Sequence, residues 1–316
     1  MADARDSKSR IERCEGSSPS PGTMEKVLVI VGPTASGKSD LAVELARALN
    51  GEIISADSRQ VYKGLDIGTG KITKKEMRGV KHHLLDVADA RKQFSVAQYK
   101  NLAEKALKEI IDRGKLPIIV GGTGFYIDAV TGRNSLPDVP PNKMLRKQLE
   151  SKSTEELFTI LEKKDPARAE SIDKHNRVRL VRALEIVGAI GKVPKPKPTK
   201  QKYEYIWIGL KPERELLEEK ILKRLGARIP GMIKEAKKLH KNGLSYRRLE
   251  ELGLEYRYLA RLLQNQADHK QFVDELFREI RHYSKRQMTW FKGNKNITWF
   301  SSSDAKPIRE HLAGLI

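Results

Sequence analysis

The chain has 316 residues, 39% hydrophobic and 32% charged, which allows one large domain or two modest ones and excludes a membrane-embedded protein. The 61 Lys and Arg against 41 Asp and Glu leave a net charge of +20, which favours a polyanionic partner because neutralised phosphates release their condensed counterions. A single cysteine, Cys14, excludes a disulfide framework and a cysteine-rich zinc site, and it fits a reducing, cytoplasmic setting.

Residues 1–23 are polar and rich in Ser, Pro and Gly, so they are expected to be a disordered extension ahead of Met24. From Val27 the pattern becomes α/β. Val27 to Val31 is a continuous apolar run, the mark of a strand buried on both faces of a parallel sheet. Ser39 to Asn50 places Leu41, Leu45 and Leu49 on one helical stripe, and Glu52 to Ser55 reads as the next strand. Residues 96–112 carry helical periodicity, and Leu116 to Val120 forms another buried strand that ends in Gly121-Gly122. Alternation of this kind predicts a doubly wound parallel sheet.

Two Pro-rich linkers, Leu136 to Pro141 and Lys192 to Pro198, bracket helical patterns from about 143 to 190. Tyr205 to Leu210 then returns to strand. The expected organisation is a core of 24–137 plus 203–316, with 138–202 inserted as a helical domain. The part after the strand at 205–210 is helical from about 213 to 291, and Asn296 to Phe300 reads as a last strand. Along residues 268–291, Arg278, Arg281, Lys285 and Arg286 fall on the polar side, while Trp207, Trp290 and Trp299 are expected in the core.

Gly32-Pro33-Thr34-Ala35-Ser36-Gly37-Lys38-Ser39 matches G-x-x-x-x-G-K-[ST] between a strand and its helix. Glycines there let successive backbone N–H groups wrap an anion at a helix N-terminus. Lys38 supplies charge, and the Ser39 hydroxyl is placed to ligate Mg²⁺. The motif does not select the phosphate compound. The strand at 116–120 ends in Gly121-Gly122-Thr123 rather than in the acid that nucleotide hydrolases use for Mg²⁺, and Asp86 is the one weak substitute. Group transfer is therefore favoured over hydrolysis.

Asp57 follows the second strand, on the carboxyl edge where α/β proteins place ligands. From spacing alone it serves equally as a proton acceptor, a turn cap or a Mg²⁺ ligand. The basic stretch Lys71, Lys74, Lys75, Arg78, Lys81, His82 and His83 is a solvated charge run on its own, and a phosphate-backbone surface in a chain this basic.

Taken together, Gly32 to Ser39, Asp57 to Thr69, Gly121 to Tyr126, Asn176 to Glu185, and Arg228 with Met232 resemble the tRNA dimethylallyltransferase family in order and spacing, over about residues 25–300. The resemblance implies a P-loop NTPase-like core and transfer of a dimethylallyl group from dimethylallyl diphosphate to N6 of adenine 37 in tRNA. It implies Asp57 as the base and Gly32 to Ser39 as the diphosphate cradle. Thr123 would stand near the reacting centre, with Arg146 and Arg228 clamping the leaving group. Ser58, Arg59, Gln60, Val61 and Tyr62 would line the adenine side, and Arg177, Arg179 and Arg182 would meet the tRNA. The chain departs from the family at Gly253-Leu254-Glu255-Tyr256, where Tyr commonly follows Gly, and by two extra residues before Arg146. It also lacks the C-terminal zinc finger of some eukaryotic members, which implies a prokaryotic or trimmed form. Mg²⁺ is the implied cofactor, tRNA the partner, and a monomer the expected state. The competing readings are a P-loop small-molecule or nucleoside kinase and a tRNA-binding module with a relic P-loop.

Overall fold

The computed structural model describes residues 24–301 and 303–316; the extension expected over 1–23 lies outside the described residues. Six strands form one all-parallel sheet: β1 (Lys26–Val31), β2 (Gly51–Ser55), β3 (His82–His83), β4 (Leu116–Gly121), β5 (Glu204–Leu210) and β6 (Ile297–Phe300), in the order β3-β2-β4-β1-β5-β6. β1 lies between β4 and β5, and strands run outward from it on both sides, so its carboxyl end is the point where such sheets open a ligand crevice.

The apolar run in β1 feeds two cores. Val27, Val29 and Val31 face one side and Leu28 and Ile30 the other, as the two-residue period of a strand requires. The second side is covered by α1 (Lys38–Ala48) and the terminal α13 (Ala305–Leu312). The first side carries α3 (Val96–Ile111), the short α4 (Gly124–Val130), and the C-terminal helices α9 (Arg214–Lys241), α10 (Tyr246–Leu252), α11 (Leu254–Leu263) and α12 (His269–Lys292). The basic stretch from Lys71 to His83 folds into α2 (Lys74–Met77), held by a Thr73–Glu76 capping box, followed by the edge strand β3.

Residues 143–190 form α5 (Lys143–Glu150), α6 (Thr154–Lys164), α7 (Pro166–Ala169) and α8 (Arg177–Ile190) around a separate small core that includes Leu149, Leu157, Leu161, Leu180 and Leu184. The chain segments entering and leaving these helices are zipped together: Thr199 donates to the Gly132 carbonyl at 2.8 Å, and Ser135 to that of Lys197 at 3.0 Å. Among the described residues no helix is long and apolar enough to cross a membrane.

Candidate active site at the carboxyl edge of the sheet

The segment after β1 turns tightly before α1 begins. Gly37 sits at φ 86°, a left-handed conformation that side chains resist, and it places the N-terminus of α1 beneath the loop. The Ser36 hydroxyl is buried without any hydrogen-bond partner, so the loop presents a desolvated polar group that an oxyanion would satisfy. Lys38 folds back over the turn, its ammonium donating to the Pro33 carbonyl at 2.9 Å. Burial lowers the Lys38 pKa to about 8, the charge of Asp57 opposing and that of Arg224 adding to the effect.

Asp57 stands on the loop after β2. Its Oδ1 accepts from the backbone N–H of Arg59 (2.8 Å) and Gln60 (3.2 Å), a local turn that fixes the carboxylate and commits one oxygen. Thr123 pins the chain on both sides of it: its N–H donates to the Ala56 carbonyl at 3.1 Å, and its Oγ1 accepts from Ser58 N–H at 3.0 Å. This contact requires β4 to approach closely, and a Cβ on Gly121 would fall 2.2 Å from the Ala56 carbonyl oxygen. Tyr283 of α12 lies beside Thr123, and burial together with the Asp57 charge pushes its pKa up to about 12, the Thr123 hydroxyl opposing.

Thr34, Lys38, Ser39, Asp57 and Gln60 line one pocket of about 70 Å³ with Thr69, Gly70, His82, Gly121 and Arg224. The glycine-rich turn and the carboxylate therefore share a cavity. The structure also ties α12 to the turn, since Gln287, buried, accepts from Thr34 N–H at 2.8 Å and donates to the Gly122 carbonyl at 3.0 Å.

Several residues expected at the site are placed outside the pocket. Arg146 does not line the pocket; its guanidinium makes a two-pronged pair with the buried Glu185 of α8 at 2.7 and 2.9 Å. Arg182 joins the same carboxylate at 3.2 Å and donates to the Val139 carbonyl, so it holds the inserted helices together. Arg177 closes the C-terminal end of α5, donating to the carbonyls of Leu149, Glu150 and Lys152. Of the three arginines assigned to tRNA, only Arg179 has an exposed side chain free of such contacts. Val61 and Tyr62 are buried, the Tyr62 hydroxyl accepts from Phe94 N–H at 3.1 Å, and neither lines the pocket. Ser58, Arg59 and Gln60 remain partly exposed.

Arg228 is also not among the pocket-lining residues. Its guanidinium donates to the carbonyls of Ile67 and Gly68 and lies 3.8 Å from the half-buried Glu255. One helical turn earlier, Arg224 lines the pocket and donates to the Gly70 carbonyl at 3.0 Å. Arg224, Tyr283 and Gln287 are the site residues that the sequence reading missed. The i,i+4 spacing of Arg224 and Arg228 was the available signal for the first. The other two are distant in sequence from the loops they touch. Asp86 pairs with Lys71 at 2.6 Å and has no place in the pocket lining. Trp290, expected in the core, is 43% exposed, whereas Trp207 is buried as expected.

A parallel sheet with a glycine-rich anion loop after its central strand, and a carboxylate facing that loop, defines an α/β protein of the P-loop NTPase-like class. The model of the family described as IPP transferase matches residues 60–294. A tRNA dimethylallyltransferase of Anoxybacillus flavithermus is 42% identical over 286 residues, spanning 89% of this chain and 91% of the relative. The enzyme of that name from Halalkalibacterium halodurans is 41% identical, spanning 89% and 92%. Among solved structures, the tRNA isopentenylpyrophosphate transferase of Bacillus halodurans superimposes with a TM-score of 0.69 at 39% identity, covering 92% of this chain and 96% of that one. A eukaryotic dimethylallyltransferase, described in its structure as acting on tRNA, gives a TM-score of 0.77 at 26% identity, covering 92% and 78%. The chain belongs to the IPP transferase family and is a prenyl-transferring enzyme.

Proposed function

We propose that this enzyme transfers the dimethylallyl group of dimethylallyl diphosphate to N6 of adenine 37 in tRNA. The observation that carries the reading is the single pocket lined by both Lys38 of the anion loop and Asp57. In a member of this family, such a pocket would bring an allylic diphosphate within reach of a base. The relatives' names supply the tRNA substrate, and the net charge of +20 suits it.

The diphosphate would take the cradle from Gly32 to Ser39, where the unpartnered Ser36 hydroxyl, the α1 N-terminus and Lys38 converge. Arg224 supplies a second cation. Mg²⁺ fits the donor set in a limited way. The Ser39 hydroxyl lines the pocket, and the described residues hold no cluster of three or more His, Cys, Asp or Glu suited to a metal, so the diphosphate's own oxygens would be its main ligands. When bound, it would neutralise charge on the leaving group.

The reaction is a displacement. The N6 nitrogen attacks C1 of the allylic chain, the C1–O bond breaks, and the electron pair leaves with diphosphate. N6 gains positive charge as the bond forms, and Asp57 takes its proton; a positioned base of this kind contributes roughly 10²–10⁴-fold. Oδ1 is already engaged by two N–H groups, which leaves Oδ2 to accept the proton. Growing charge on the leaving group meets preoriented N–H donors and cations that need no rearrangement. Adenine inside a stacked loop cannot reach this pocket, so the base must turn out of its stack.

The test is incubation with unmodified tRNA and dimethylallyl diphosphate, in parallel with ATP and nucleosides, followed by mass analysis of nucleosides. A gain of one dimethylallyl group on adenosine supports the reading, and product formed only with ATP returns the kinase alternative. A monomeric enzyme working in the cytoplasm is part of the same proposal.

A further inference from the structure

Helix α12 presents two faces to the site. Tyr283 and Gln287 reach Thr123 and the anion loop, as described above. On its outer side His282, Lys285, Arg286, Thr289 and Trp290 line, with Asp128 of α4, an open groove of about 800 Å³. Trp290 of the groove meets Phe125 of α4, outside its lining, edge to face with centroids 6.3 Å apart, and each ring is 43% exposed.

The indole is held in place. Its N–H donates to Asp128 Oδ2 at 3.0 Å, Asn134 donates to the same oxygen at 3.2 Å, and Arg133 lies 3.6 Å from Oδ1. The ring packs so closely over α4 that a Cβ on Gly124 would fall 2.2 Å from Trp290 Cδ1. Charge is available beside it. Lys285 is exposed and has no ion-pair partner among the described residues, while Arg286 shares its charge with Glu279 at 2.6 Å. A fixed, half-exposed indole next to an unneutralised ammonium is suited to an unpaired nucleotide, the base stacking and the phosphate held by charge. The groove is also close to the chemistry in the chain: Phe125 follows Thr123 by two positions, and Trp290 lies one helical turn beyond Gln287.

We propose that this groove is a stacking subsite for an unpaired nucleotide of the RNA substrate neighbouring the adenine that is modified, its base on Trp290 and Phe125 and its phosphate on Lys285. The proposal rests on the tRNA reading above and adds to it a second, non-reacting base contact. Its energetic role is to hold the strand after the target base has left the stack.

The experiment compares wild type, Trp290→Ala, Trp290→Phe and Lys285→Ala on an anticodon stem-loop RNA and on the same RNA made abasic on one or the other side of the target adenine. Trp290→Ala is expected to raise KM for the RNA about tenfold, leaving KM for dimethylallyl diphosphate unchanged, and Trp290→Phe to recover most of the loss. One of the abasic RNAs should cost wild type a similar factor and cost Trp290→Ala nothing further. Lys285→Ala should weaken RNA binding and lower its salt slope by about one. Abasic and alanine effects that multiply, a change confined to the donor KM, or unchanged RNA affinity would each overturn the subsite. Lys285 lies on the surface, so its variant remains decisive if Trp290→Ala does not fold. A wild-type enzyme that modifies no RNA would instead bring down the functional reading itself.

Discussion

The side-chain amide of Gln287 receives the backbone N–H of Thr34 at 2.8 Å across 253 positions of sequence. With its other end on the Gly122 carbonyl, this one residue joins α12 to two of the loops that build the pocket. Gln287→Ala would leave a part-buried N–H and a buried carbonyl unpaired. We expect a loss of about 1–3 kcal/mol in stability, read by urea denaturation, and a raised KM for the diphosphate donor. Gln287→Glu keeps the acceptor but not the donor and should restore only the Thr34 contact.

Asp57→Asn separates chemistry from architecture. Asparagine keeps an oxygen to accept from the N–H groups of Arg59 and Gln60, so the loop should retain its shape. Single-turnover rates should fall by about 10²–10⁴-fold, with the affinities for tRNA and donor nearly unchanged. A rate within threefold of wild type, a margin of roughly 0.7 kcal/mol, would remove Asp57 from the proton transfer.

Lys38 provides a pH signature. Burial holds its pKa at about 8 rather than 10.5, and the protonated form is the one that binds an anion. Below about 8 the ammonium is already charged, and donor binding should exchange no proton with it. Above that value the free enzyme has lost the proton, so binding must recover it and affinity should decline. Calorimetric titration of the donor in buffers of different ionisation enthalpy reads this as proton uptake that grows with rising pH.

Glu185 anchors the inserted helices. Its carboxylate is fully buried and accepts from Arg146, Arg182 and the Asn142 N–H. Burial acts to raise its pKa, but the hydrogen bonds from these partners outweigh it and hold the group below its ordinary value. Its stabilising contribution is thus present above the unfolded carboxyl value and is lost as pH falls through the folded one. Glu185→Ala should cost about 2–3 kcal/mol, below the usual penalty for breaking a buried pair, because the guanidiniums, 38% and 34% exposed, can turn to water. Hydrogen exchange should show the loss confined to α5–α8, with pocket amides unaffected.

The anion loop was fully legible because its chemistry is contiguous: consecutive N–H groups, one lysine and one serine on a strand–turn–helix. The longer strands of the sheet were legible for a related reason, since burial on both faces writes an unbroken apolar run, whereas the two-residue edge strand β3 has no such run and was not. The arginines were not. A guanidinium is long and takes whichever acceptor the fold brings near, so Arg146 and Arg182 went to Glu185, Arg177 to the end of α5, and Arg228 to the carbonyls of the 67–68 loop. Arg224, unremarked in the sequence, joined Lys38 as a cation of the pocket.

By itself, then, the sequence determined the α/β class, the place of the glycine-rich turn after the first strand, the acid after the second strand and the helical insertion, because each is encoded in local pattern and spacing. Only the tertiary structure decided which distant side chains complete the site. It turned Tyr62 inward and Trp290 outward, and it carried Tyr283 and Gln287 from a late helix to loops formed near the start of the chain. Those outcomes depend on how helices pack over the sheet, and packing is set by the whole core rather than by any segment of it.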